Sequence, residues 1–301
     1  MIKTKSGVVI ILSILFGILL VSAVNLTINY PSTGSVFATK SINYNLSSDE
    51  ISDFYILKTR LRSNSAKKLC NDVTSCNVTV SAREGNNNIT IKIINANGDL
   101  DSENLDFLVD TRAPRKLIAR PRDGNTISNN DLFTLRYTET NLNTITLNYG
   151  NLSFINTTIN TTCPSGRKQT CEFDVNLSNF NGQEIRYWFD ITDIAGNTQN
   201  TSVRLINVDT DAPNVISQNY TINKRRVRFS FEIEEEDFRK IVFRDNSARR
   251  PKWIRLCSRL SVGSCIKTKT LRSGVHDIDI RAYDRAGNFA DIYTNEIINI
   301  I

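Results

Sequence analysis

Histidine and methionine are almost missing: the 301 residues hold one of each, and the methionine is the first residue. A lone His276 excludes histidine-rich metal sites and most imidazole acid–base chemistry. With two tryptophans, six prolines and 13 glycines, the chain is neither collagen-like nor low in complexity. No segment beyond the first 24 residues sustains an apolar helical period. The glycine and histidine patterns of nucleophile elbows, zinc proteases, P-loops and dinucleotide folds are missing as well, so a non-catalytic protein is expected. What abounds is asparagine, 35 residues, in a chain that is 40% hydrophobic, 23% charged and formally +6. The length allows two or three domains, each able to bury a core.

Lys3 and Lys5 precede the apolar run 8–21, and Val21-Ser22-Ala23 follows it. A basic start, an apolar stretch and small residues at its exit describe a secretory signal peptide over 1–23. The same run, retained, would serve as a membrane anchor. A pilin-type leader fits less well, because Ser6-Gly7-Val8 offers neither the basic residue nor the glutamate of such cuts. All three readings place the remainder outside the cell or at its surface.

The six cysteines fall in pairs, Cys70/Cys76, Cys163/Cys171 and Cys257/Cys265, with about 94 residues between like members. Other landmarks keep that period. Asp110-Thr111-Arg112-Ala113-Pro114 returns as Asp209-Thr210-Asp211-Ala212-Pro213, and Asp193-Ile194-Ala195-Gly196-Asn197 as Asp284-Arg285-Ala286-Gly287-Asn288. A worn copy, Asn95-Ala96-Asn97-Gly98-Asp99, leaves the corresponding turn of the first copy less defined. Three repeats are therefore expected, over 24–112, 113–212 and 213–301. A local bridge within each repeat is the one scheme that treats the copies alike, and the exported setting favours oxidation. Each bridge reads as a staple on a loop or hairpin, not as a link between sheets.

Within the repeats apolar residues alternate. Ile185, Tyr187, Phe189 and Ile191 face one way, Arg186, Trp188, Asp190 and Thr192 the other; Ile278, Ile280, Ala282 and Ile89, Ile91, Ile93 repeat the pattern. That is the mark of half-buried antiparallel strands. The fold expected is all-β: three tandem β-sandwiches after an N-terminal hydrophobic leader helix. The Asp-Thr-x-Ala-Pro and Asp-x-Ala-Gly-Asn motifs resemble those of the immunoglobulin-like and fibronectin-III-like repeats of prokaryotic, notably archaeal, surface proteins. The resemblance covers 24–301. It implies stalks, adhesins, lattice modules or spacers, and it leaves activity open.

Ten Asn-x-Ser/Thr sequons are candidate glycan acceptors: Asn25, Asn45, Asn77, Asn88, Asn151, Asn156, Asn160, Asn176, Asn200 and Asn219. Only Asn219 falls in the third repeat. That repeat also carries the charge excess, 17 basic against 11 acidic residues, where each of the others has 9 against 10. Its clusters contain Arg225, Arg226 and Arg228, then Arg249, Arg250 and Arg255, a candidate contact face for an anionic polysaccharide or an acidic surface protein. Trp253, between them, is expected in the core. Nucleic acid lacks any reading motif. No cofactor is implied. Calcium is the one ion weighed, at the junction and turn aspartates Asp110, Asp193, Asp209, Asp211 and Asp284, against their simpler use as turn caps. The acidic run Glu232 to Asp237 reads as a solvated strand edge, and His276 as an ordinary strand residue. The function expected is structural or adhesive. A pilin-like filament subunit, or an accessory carbohydrate-binding array for an extracellular enzyme, is the alternative.

Overall fold

A computed structural model describes residues 24–58 and 66–301. The leader helix and segment 8–21 lie outside the described residues. Among the described residues every regular element is a strand except for one 3-10 turn, Ser178–Phe180. No helix there is long and apolar enough to cross a membrane. The chain separates into two compact units, one ending at Thr111 and one running Arg112–Ile301. Buried side chains form three cores: one in the first unit, between Val24 and Val109, and two in the second, between Ala119 and Val208 and between Val227 and Ile300.

The first unit is built from β1 (Leu26–Tyr30), β2 (Ser35–Phe37), β3 (Ser41–Lys58), β4 (Lys67–Ser81), β5 (Gly85–Asn95) and β6 (Leu100–Val109). Strand β3 serves both layers: its first half pairs with β1 and the end of β4, its second half with β5 and the start of β4. The corner lies at Ser48–Ser52, where the hydroxyls of Ser48 and Ser52 both donate to the Glu50 carbonyl, at 2.7 and 3.1 Å. Two small hydroxyls thus meet one carbonyl at the corner of the turned strand.

The second unit holds the other two sandwiches. Strands β7 (Arg115–Arg120), β9 (Phe133–Glu139) and β12 (Gly166–Phe173) form one sheet of the second sandwich. Facing it are β8 (Thr126–Ile127), β10 (Leu142–Gly150), β11 (Ile155–Asn160), β13 (Glu184–Asp193), β14 (Thr198–Asn200) and β15 (Arg204–Val208). The third sandwich repeats the plan. Strands β16 (Asn214–Asn223), β17 (Arg226–Glu234) and β20 (Ser264–Thr270) oppose β18 (Phe238–Asp245), β19 (Ile254–Cys257), β21 (Gly274–Asp284) and β22 (Phe289–Ile300). The three-against-four antiparallel division of the third sandwich is the immunoglobulin and fibronectin-III architecture, and the second adds the short strands β8 and β14 to its larger sheet. The alternation seen in the sequence is the reason: Ile185, Tyr187, Phe189 and Ile191 are at most 1% exposed. Phe229 and Phe231, both inward on β17, are fully buried. Burial of each contributes about 1.5–3 kcal/mol.

Cys70–Cys76, Cys163–Cys171 and Cys257–Cys265 are disulfide-bonded. Cys70 and Cys76 both lie on β4, and Cys163 in the loop before β12, as local staples do; the third bridge differs. In the third sandwich Cys257 ends β19 of one sheet and Cys265 lies in β20 of the other. The bridge therefore clasps the two sheets where the chain crosses between them. The second cysteine of each pair is a core residue, at most 3% exposed, so the clasp is rooted in the interior on one side. The crossover is short because the two edge strands it joins are neighbours across the sandwich edge.

Candidate functional site: the two ends of the third sandwich

The repeated Asp-x-Ala-Gly-Asn motif forms the turn between the last two long strands of each sandwich. Asp284 is fully buried, and one carboxylate oxygen accepts from the N–H groups of Gly287 and Asn288 at 2.6 and 2.9 Å. Its other oxygen accepts from Asn288 Nδ2 at 2.8 Å. Asp193 does the same with Ala195, Asn197 and Asn197 Nδ2 at 2.9, 2.9 and 2.8 Å. The worn first copy makes the same turn with the chemistry exchanged. There Asn95 accepts from Asn97 and Asp99 N–H, and donates its amide to the Asp99 carboxylate at 3.0 Å. Carboxylate and carboxamide have traded places, and the glycine before the last position keeps a positive φ of 87°, 85° and 101° in the three copies. The turn doubtful in sequence is thus as well bonded as the others.

Asp193 and Asp284 cap their own turns, and Asp110 is buried with its N–H on the Phe37 carbonyl at 2.9 Å. Asp209 Oδ1 accepts from the Asp211 N–H at 3.2 Å, and the Asp211 carboxylate accepts from Asn181 Nδ2 at 2.7 Å.

Asp209 has a further setting. It lies where the second sandwich hands over to the third, and Asn288 Nδ2 donates to its carbonyl at 2.9 Å. Burial raises its carboxyl above the usual range, and the charges of Asp284, Asp211 and Asp237 add to this against the Asp211 hydrogen bond. Glu235, half-buried in the connection between β17 and β18, is raised likewise, by burial and by Asp284, Asp209 and Asp237. Arg285 stands 3.8 Å from Asp237, with both side chains more than half exposed. The acidic run therefore divides: Glu232 and Glu234 are exposed on β17, while Glu235 turns into a cluster of acids. Reading the run as wholly solvated missed this, because the partners are 26 and 49 residues away in sequence.

The opposite end is basic. Strand β17 begins with Arg226 and Arg228 and ends with Glu232 and Glu234, so charge reverses along about 25 Å of strand. Arg225, in the β16–β17 turn, donates Nε to the Leu271 carbonyl at 3.3 Å, and Leu271 N–H donates to the Arg225 carbonyl at 2.9 Å. The β20–β21 connection is thereby joined to that turn. His276 continues the chain of contacts, with Nδ1 2.7 Å from Asp245 and Nε2 2.9 Å from the Arg272 carbonyl. Asp245 closes β18 and opens the loop carrying Arg249 and Arg250, which leads to Arg255 on β19. Arg225, Arg226, Arg228, Arg249, Arg250 and Arg255 all lie in that half of the sandwich, and all are exposed. They do not share a sheet face: Arg226 and Arg228 belong to one sheet and Arg255 to the other. What gathers them is an end, made of three loops.

His276 holds both ring nitrogens on acceptors, so neither is directed at a nucleophile. Burial pulls its pKa down, but the Arg272 carbonyl and the Asp245 carboxylate outweigh this and leave it raised. Trp253 is not a core residue. It stands half-buried outside the four-stranded sheet, with the guanidinium carbons of Arg281 and Arg244 at 5.0 and 5.9 Å from its ring; Arg281 also lies 4.5 Å from the Phe289 ring. Packing between guanidinium groups took the place that burial was expected to fill. Among the sequon asparagines, Asn25, Asn45, Asn77, Asn88, Asn176, Asn200 and Asn219 are exposed, whereas Asn151, Asn156 and Asn160 are half-buried. Asn45 and Asn77 stand directly opposite each other on β3 and β4.

No protein-family model and no curated protein matches the chain. Solved structures do match. The FN1–FN3 domains of chicken CNTN1 are 11% identical, with 90% of this chain and 98% of that one covered at a TM-score of 0.43. The fibronectin(III)-like modules of Clostridium thermocellum CbhA are 11% identical over 62% of this chain and 94% of that one, TM-score 0.34. A tetra-tandem repeat from the extending region of a large adhesion protein is 12% identical, covering 93% and 74%, TM-score 0.33. These are likenesses of fold, and no residue role passes from them to this chain.

Proposed function

We propose that the protein is an exported or surface-held chain of three immunoglobulin-like sandwiches, over 24–112, 113–212 and 213–301, with a structural and adhesive role and no catalysis. It is of the prokaryotic, archaeal surface-protein kind, brought out of the cell by its first 23 residues, either as a cleaved signal or as a retained anchor. The first two sandwiches act as a spacer that carries glycans on its exposed sequons. The third touches the partner end-on, through Arg225, Arg226, Arg228, Arg249, Arg250 and Arg255, and the partner is an anionic polysaccharide or an acidic surface protein. Disulfides in all three sandwiches support an oxidising location.

The observation that carries this reading is the gathering of those arginines at one end, on the β16–β17 turn, the β18–β19 loop and the adjoining strands β17 and β19, where Asp245 is already held by His276. Exposed cations in such a cluster attract a polyanion over about a Debye length and lose that attraction in salt. The test is retention of the full chain on immobilised polygalacturonate across a salt series. The expected result is binding at low salt that fades through physiological strength and is abolished by Arg226→Glu with Arg249→Glu and Arg250→Glu. Salt-independent retention, or retention by that variant, would sink the proposal.

A further inference from the structure

The second sandwich has an unsealed seam between its first and last strands. An open cleft of about 360 Å³ lies there, lined on one side by Pro114, Arg115, Leu117 and Ala119, and on the other by Gln199 to Ser202 and Arg204. The volume falls within the range in which proteins hold small ligands. The other two sandwiches tie this seam with a polar bond: the Leu26 N–H donates to the Asp101 carboxylate at 2.8 Å in the first, and the Tyr220 hydroxyl to Glu296 at 2.9 Å in the third. The second instead breaks its last strand. Strand β14 pairs with the end of β13 and β15 with its start, and Thr201 between them bonds back to Phe189 through both its N–H and its hydroxyl, each at 2.9 Å.

Two arginines line this opening, Arg204 on the inward side of its strand and Arg115 at the exposed rim. Arg204 stands across from Tyr187, a core residue, and therefore shares its face; Arg115 stands across from Thr138, beyond a bulge that separates it from the buried Ala119, and is exposed. The Nε of Arg204 is buried and has no hydrogen-bond partner. An inward guanidinium ordinarily has a carboxylate to answer it, yet no acid lines the cleft. Asp123, the acid whose charge reaches Tyr187, accepts instead from the Leu205 N–H at 2.7 Å.

We infer that this cleft is a binding site for an acidic sugar of the uronate class. The two guanidinium groups take the carboxylate, since planar forks suit that group. The amides of Gln199 and Asn200 and the hydroxyl of Ser202 meet ring hydroxyls, and Pro114, Leu117 and Ala119 offer an apolar floor. The site is separate from the basic end of the third sandwich and stands whether or not that end binds a polyanion.

The test is calorimetric and NMR titration of the full chain, produced without glycosylation, with sodium glucuronate, glucose and sodium acetate. Glucuronate is expected to bind and to shift the amides of 199–204, with glucose and acetate each at least about tenfold weaker, the loss expected when a charged or a neutral hydrogen-bonding half is missing. Arg204→Gln and the exposed Arg115→Gln are each expected to weaken glucuronate about tenfold or more, with the Trp188 unfolding transition of each variant confirming the fold. Arg249→Glu with Arg250→Glu is expected to leave the titration unchanged. The inference is overturned if glucuronate does not bind, if acetate binds as well as glucuronate, if both folded arginine variants bind normally, or if the third-sandwich variant abolishes the effect.

Discussion

Replacing Asp284 by alanine removes the acceptor of three hydrogen bonds from the last turn of the third sandwich. The Gly287 and Asn288 N–H groups and Asn288 Nδ2 lose a partner that is fully buried. Each orphaned donor costs about 1–3 kcal/mol. The turn is at an end of the sandwich, where relaxation toward water is possible, so about 1 kcal/mol each, roughly 3 in all, is the fitting value. Loss of the charge also relieves Asp209 and Glu235, which Asp284 helps to hold above their usual range; that offsets less than about 1 kcal/mol. The net expectation is a loss of about 2–3 kcal/mol, or some 10–20 °C in the melting of a domain this size. The assay is simple because the two tryptophans, Trp188 and Trp253, report on different sandwiches. In a Trp188→Phe background, urea unfolding followed by Trp253 reads the third sandwich alone. Asp284→Asn retains an oxygen for the two main-chain N–H groups and gives up only the pairing with the Asn288 amide, so its loss is expected to be about half as large. If Asp284→Ala costs no more than Asp284→Asn, or under about 1 kcal/mol, the buried carboxylate is not what organises the turn.

Three further outcomes follow from the same structure. Because the folded pKa of His276 is raised, its contribution is complete below its unfolded value of about 6.5 and is lost as pH rises through the folded value; the Trp253 transition is expected to weaken above that pH in the wild type and not in His276→Gln. Replacing Cys257 and Cys265 by serine, which opens a clasp spanning 8 residues, is expected to cost the third sandwich about 2–3 kcal/mol by the same urea assay, and an unchanged midpoint would contradict the clasp between sheets. Gly150 has φ 152°, and a Cβ there would stand 2.1 Å from the Phe154 carbonyl oxygen, so Gly150→Ala is expected to loosen the β10–β11 hairpin, seen as faster amide exchange at 155–160.

Local features were readable from the chain itself. The strands declared themselves because Ile278, Ile280 and Ala282 alternate with polar neighbours, and all three are fully buried. The turns could be placed because a glycine sits at the same step of each motif. What stayed hidden depends on partners far apart in sequence. The exchange of Asn95 and Asp99 looks like decay until the hydrogen bond between them is seen. Arg204 carries no local signal, since its significance comes from Arg115 across a seam 89 residues away. The two arginine clusters of the third repeat were visible, but strand direction alone decides that a turn and a loop on different sheets finish at one end. Trp253 misled because a large aromatic usually reads as core, whereas here two guanidinium groups flank it.

The polarity of the third sandwich has a physical consequence of its own. Its acidic end meets Asp209, so like charges face one another at the junction with the second sandwich, and both Asp209 and Glu235 respond with raised pKa values. By linkage, stability at this junction is fullest below the ordinary carboxyl range and falls as pH climbs through the folded values of these two groups. The Asn288 side chain donates to both Asp284 and the Asp209 carbonyl, and so bonds across that junction. Asn288→Ala removes both bonds while leaving the acids in place. It is therefore expected to uncouple the second and third sandwiches, so that the Trp188 and Trp253 transitions separate in urea at pH 7 and draw together again near pH 4. Transitions that stay coincident at both values would show that the amide bridge does not carry the coupling.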